Sequence, residues 1–129
     1  MFKTIATIAL LALLGSAGPS FAQDAPIKRI PVQKYDVPGT NYETVIGIAE
    51  IKPNVMIGKH NHPGTEGGYL LEGETTLFVD GQPPKNLKPG DSYNIGPGIA
   101  HDAKSGPNGA KVLAVYTVEK GKPLATPVK

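Results

Sequence analysis

Lys59 to Gly73, KHNHPGTEGGYLLEG, is the stretch on which the reading of this chain turns. His60 and His62 stand two apart at the end of a run with strand character, Val55 to His62, so both side chains leave the same face of a β-strand. Pro63 and Gly64 supply a turn, and a strand resuming near Glu66 runs back beside the first, within reach of both rings. Two imidazole nitrogens and one carboxylate oxygen make a partial ligand set for a divalent transition metal, with positions left open for water or substrate. A His-x-His pair is also found as plain surface histidine beside a loop, so the pair alone decides nothing.

The surrounding chain sets the limits. Its 129 residues are enough for one domain and one core. Lys3, the apolar run Ile5 to Leu14, then Gly15, Gly18, Pro19 and the small-x-small triplet Ser20-Phe21-Ala22 read as a secretory signal peptide over residues 1–22, with the mature chain starting at Gln23. The run is short for a membrane span, which makes a retained anchor helix the lesser alternative. The expected location is therefore periplasmic or secreted, with no membrane association after cleavage. A formal net charge of +2 argues against a polyanionic partner such as nucleic acid. The absence of cysteine excludes thiol nucleophiles, thiolate ligands and disulfides, so any metal must be held by histidine and carboxylate.

Residues 23–40, with Pro26, Pro31 and alternating Ile27, Ile30 and Val32, read as an N-terminal extension leading into an edge strand that also offers a homodimer interface. Tyr42 to Ile51 is a core strand, and Pro53-Asn54 a turn. Gly68 to Glu74 and Thr75 to Val79 form a β segment broken at Gly73, Asp80-Gly81 is a hairpin signal, and Gln82 to Leu87 returns. Ser92 to Ile95 is a short strand, Gly96-Pro97-Gly98 a tight loop, and Lys111 to Val118 the last strand. Residues 120–129 read as a polar tail. Turns recur throughout and no helical period appears, which predicts an all-β domain over 41–119, a single antiparallel barrel or sandwich.

His101 closes a second glycine-bearing segment that begins at Gly90, and the two segments together resemble the two signature motifs of the cupin superfamily. His60, His62, Glu66 and Gly73 match the first motif; Gly90, Gly98 and His101 match the second. The resemblance implies a small jelly-roll barrel in which His60, His62, Glu66 and His101 bind one divalent transition metal, with Fe or Mn favoured over Zn, Ni or Cu. It also implies a small-molecule ligand, and cupins are often dimers. Three positions depart from the pattern: Asn54 replaces the opening Gly, Pro97 follows Gly96 where the motif has its proline, and Ser105 replaces the final Asn.

Strand alternation then sends Met56, Gly58, Gly68 and Leu70 inward and Tyr69 and Leu71 outward, with the two glycines leaving room near the metal. A bulge or flexible turn is the plainer reading of Gly67-Gly68. The expected pocket residues are Met56, Gly68, Leu70, Phe78 and Tyr93, with Ile95, Leu113 and Val115 as further barrel filling. Tyr93, Tyr116 and Lys59 are the candidates for acid–base work, and none is singled out; Lys59 is expected to face solvent. Three functions follow from the resemblance: a metal-dependent enzyme oxidising, decarboxylating or isomerising a small organic molecule, a non-catalytic module that binds or senses one, or a barrel that its metal merely stabilises.

Overall fold

Short β-branched runs punctuated by glycine and proline bury their apolar sides by pairing into a sheet. The computed structural model describes residues 25–129, which form eight strands in one antiparallel sheet, with no helix among the described residues. The signal peptide expected over 1–22 lies outside the described residues. The strands are β1 (Ile27–Asp36), β2 (Tyr42–Ile51), β3 (His60–Asn61), β4 (Gly64–Val79), β5 (Lys85–Leu87), β6 (Ser92–Ile95), β7 (His101–Glu119) and β8 (Thr126–Pro127).

The long strands β4 and β7 form the spine. Residues 110–119 of β7 lie between β2 and β4, while its first residues lie between β3 and β4. β1 covers the outer edge of β2, and β5 and β6 both pair with β4. Ile51, Leu70, Leu77, Leu87, Ile95, Ala110 and Val112 form the buried core. Leu70 is fully buried, so its truncation to alanine would cost roughly 2–5 kcal/mol.

Two features of the spine were not anticipated. β7 begins at His101 rather than near Lys111, passing through Gly106-Pro107-Asn108-Gly109 without leaving the sheet. It does so because the β4–β7 ladder absorbs register shifts between Leu70 and Glu72 and between Gly73 and Thr75. Gly73 and Gly109 both have φ of 76°, and a Cβ on Gly73 would collide with the Gly109 carbonyl, so the two strands can bend only because both residues are glycine.

These shifts also reverse the side-chain alternation. Glu66, Gly68 and Leu70 are buried on β4 before the kink, but Thr75 and Leu77 are buried after it. Phe78 consequently sits on the opposite face from Leu77 and is not among the cavity-lining residues. On β7 it is Val112 and Ala114 that are buried, while Leu113 and Val115 face the other way.

Val55 to His62 is not a continuous strand. Met56 makes an isolated bridge to Lys104 and Gly58 turns at φ 104°, leaving only His60–Asn61 paired. The turn shifts the phase, so Val55 and Ile57 pack on the core while Met56 is 51% exposed. Asn54 takes the left-handed conformation of the glycine it replaces, φ 56°. Ser105 ties down the same turn: its hydroxyl donates to the Lys52 carbonyl at 2.6 Å and accepts from the Val55 amide at 2.9 Å.

Candidate metal centre

The sheet register brings the histidines together. His60 on β3 pairs directly with His101 at the start of β7, and Glu66 on β4 lies opposite Tyr116 of β7 and Ile95 of β6. His62 follows β3 by one residue, so both imidazoles of the pair remain beside the strand end. His60, His62, Glu66 and His101 each offer one ligand atom, and these atoms lie within 4.8 Å of one another. His62, Glu66 and His101 are about 5% exposed, whereas His60 is half-buried at the open side.

Every imidazole is held by a backbone carbonyl through Nδ1. His60 bonds to Gly58 at 2.6 Å, His62 to Leu124 at 2.6 Å and His101 to Ile99 at 2.9 Å. A carbonyl oxygen only accepts, so each Nδ1 carries the proton and a neutral ring presents its Nε2 lone pair. Glu66 Oε2 lies 3.0 Å from both His62 Nε2 and His101 Nε2. The His62 contact is off the line of a hydrogen bond, leaving that buried nitrogen without a hydrogen-bond partner. Lone pairs and a carboxylate oxygen facing one another repel unless a cation stands among them. A proton on His101 satisfies one contact; a divalent metal satisfies them all. The donor set therefore fits a metal ion of the kind that takes nitrogen and oxygen ligands.

The electrostatics agree. Burial raises the Glu66 carboxyl, but the His101 hydrogen bond and the closeness of the His62 and His101 rings outweigh it and bring its pKa to about 2. Burial lowers His101, yet the Glu66 hydrogen bond, the Ile99 carbonyl and the charges of Glu66 and Asp102 together raise it. His60 is lowered, chiefly by burial.

Tyr93 completes the carboxylate's surroundings. Its hydroxyl donates to Glu66 Oε1 at 2.9 Å, which turns Oε2 toward the histidines. Burial, with Glu66 adding to it, raises the phenol well above its ordinary pKa. Its ring lies across Gly68, where a Cβ would strike it. The room expected at Gly68 is thus filled by Tyr93 and is not open to a ligand.

The cluster lines a cavity of about 360 Å³ whose walls are largely apolar, among them Ile51, Ile57, Leu77, Leu87 and Val112. Of the expected pocket residues, Tyr93 lines it. Met56 is exposed, Gly68 lies behind Tyr93, Leu70 is sealed in the core and Phe78 faces away. Lys59 stands at the rim, its ammonium 3.0 Å from Asp80.

Arg29 and the chain end, by contrast, were not placed by sequence reasoning, and Tyr116 was named there only as one acid–base candidate among three. Tyr116 packs its ring 4.8 Å from that of His62. Leu124, Ala125 and Pro127 also line the cavity, because β8 pairs with β3 and the Val128 amide donates to the Lys59 carbonyl at 3.0 Å. The supposed polar tail is a strap across the site. Only the prolines and the threonine of its last residues hint at an extended segment; nothing local says where it docks.

Residues 47–116 match the sequence model of the family described as "Cupin domain". DMSP lyase DddQ from Ruegeria pomeroyi DSS-3 superposes with a TM-score of 0.61 at 20% identity, covering 66% of this chain and 43% of that one. Oxalate decarboxylase from Bacillus subtilis gives 0.59 at 19%, covering 68% and 24%. KdgF from Halomonas sp. gives 0.62 at 17%, covering 78% and 86%. The chain spans less than half the length of the first two structures, and what these likenesses share with it is the fold. No curated protein matches the sequence.

Proposed function

Because the chain belongs to the cupin domain family, we propose that it is an exported protein in which His60, His62, Glu66 and His101 hold one divalent transition metal, Fe or Mn, and that it transforms a small organic molecule there. The observation that carries this reading is the convergence of four ligand atoms within 4.8 Å, at an apolar cavity, with all three Nδ1 atoms committed to carbonyls. A bound ion supplies Lewis acidity toward a substrate oxygen. The residues around it orient and exclude: Tyr93 holds the carboxylate, Tyr116 packs against His62, and the apolar walls keep bulk water from the substrate. A lyase and a decarboxylase among the structural neighbours are in keeping with chemistry on such a molecule, without choosing among oxidation, decarboxylation and isomerisation.

A second reading, binding without turnover, is favoured by one observation. Two of the cavity's three candidate proton-transfer groups are already engaged, Tyr93 with Glu66 and Lys59 with Asp80, while the third, Tyr116, packs its ring against His62. Metal analysis combined with oxygen uptake and product detection over a panel of small carboxylates and phenols separates the two. Turnover that depends on the metal supports the enzyme; stoichiometric metal with ligand binding and no turnover of any panel member replaces it with the binding module. Export is tested by N-terminal sequencing of the secreted protein, which is expected to start at Gln23.

A further inference from the structure

Arg29 is the chain's only arginine. It lies on β1 opposite Ala49 of β2, and it borders two voids at once: the barrel cavity and an apolar groove along β1 and β2. The voids share Ala49, Ala114, Tyr116 and Leu124, so Arg29 stands where the cavity meets the outer surface. Its neighbours on β1 are neutralised, Lys28 by Glu50 at 3.9 Å and Lys34 by Glu43 at 3.2 Å. Among the described residues Arg29 forms no salt bridge, since the residue across from it is an alanine.

The balance of charge in the cavity is therefore uneven. Lys59 is offset by Asp80, and a divalent ion held by neutral histidines and one carboxylate keeps a net positive charge. With Arg29 added, positive charge faces the cavity from two separate points across apolar walls. A guanidinium presents a planar fork that matches a carboxylate, and a pair of this kind is worth most where water is partly excluded.

We propose that the ligand of this cavity is a small organic carboxylate with an apolar body, its carboxylate held by the Arg29 guanidinium and its other end directed at the His60–His62–Glu66–His101 cluster. The inference rests on the proposed function for what lies at the far end of the cavity, but not for Arg29 itself. It also gives a reason for the strap: Leu124 borders the same opening, so an apolar body entering past Arg29 is covered by the chain end.

Hexanoate, benzoate and 3-phenylpropanoate, each against its neutral primary amide, test it by calorimetric titration of the full mature chain. The titrations use wild type, Arg29→Gln and Arg29→Lys, each Zn(II)-loaded and again after chelation, with metal content measured on every sample. At least one carboxylate is expected to bind wild type about tenfold or more tightly than its amide, the margin of a charge-assisted hydrogen-bonded pair. That preference should fall below about threefold in Arg29→Gln, be partly kept by Arg29→Lys, and survive chelation in wild type. A preference that Arg29→Gln leaves intact, or one that vanishes from wild type on chelation, overturns the proposal by showing that the carboxylate goes to the metal. No preference for any carboxylate in wild type overturns it as well. Absence of metal in the untreated protein would instead overturn the metal reading, while the chelated titrations still decide on Arg29.

Discussion

Tyr93 donates its hydroxyl to Glu66 Oε1 at 2.9 Å, and its ring rests on Gly68, its direct partner across the β4–β6 ladder. One oxygen of the carboxylate is thereby fixed and the other, Oε2, is aimed at His62 and His101. Tyr93→Phe keeps the packing and removes the donor. Outer hydrogen bonds of this kind are worth roughly 10- to 100-fold in metal affinity. Chelator competition should show that loss with an unchanged circular dichroism spectrum.

Gly68→Ala attacks the same relationship from below. The added methyl meets the Tyr93 ring, so either the ring leaves Glu66 or the strands part. Overpacking of this type costs about 1–3 kcal/mol. Denaturant unfolding should register it, whereas Gly67→Ala, whose Cβ would come no nearer than 3.9 Å to a carbonyl oxygen, should be close to neutral.

Removing residues 123–129 takes away the Leu124 carbonyl that holds His62 Nδ1 and the β8 pairing that flanks His60. The core cluster lies elsewhere and remains. Metal affinity should fall by roughly tenfold or more, and the melting transition of the metal-free protein should move little. An unchanged affinity would mean that the strap does not position His62.

The pH dependence has a definite sign. The folded pKa of His101 is raised above its unfolded value of 6.5, so in the metal-free protein the His101–Glu66 pair stabilises fully below that value and is lost as pH rises through the folded pKa. A metal needs the deprotonated ring, so it competes with that proton. Affinity should therefore rise with pH from about 6 upward, levelling off above the folded pKa of His101, with proton release on binding near neutrality. Glu66, at about 2, stays charged throughout and adds no slope in this range. Calorimetry in buffers of different ionisation enthalpy measures the protons released.

The clustering of His60, His62, Glu66 and His101 was legible because each lies in a short motif whose spacing survives local irregularity. β2 and β6 were legible as short β-prone runs bounded by turn residues. What escaped was set by long-range pairing. The parity of β4 flips at shifts visible only when it is laid beside β7, so Phe78 was placed on the wrong face, while the phase of Leu113 and Val115 is set only by their pairing with Tyr69 and Gly67. Gly58 did the same to Met56 by turning the chain at a point where alternation was assumed to continue. Gly68 was read as space because no sequence rule says that an aromatic ring two strand positions from a turn will lie over it. Tyr116, Arg29 and Leu124 carry no motif at all; they reach the cavity because sheet order puts β7, β1 and the chain end around it.

The most direct test of the account is the metal content, by mass spectrometry, of mature protein purified from its own source, set beside Glu66→Ala and His101→Ala variants whose circular dichroism remains that of the β-barrel. The account predicts about one Fe or Mn per chain in the wild type and a loss of at least tenfold in both variants, consistent with removal of a direct ligand. Wild-type protein without a transition metal, or full metal content in either variant, would contradict it.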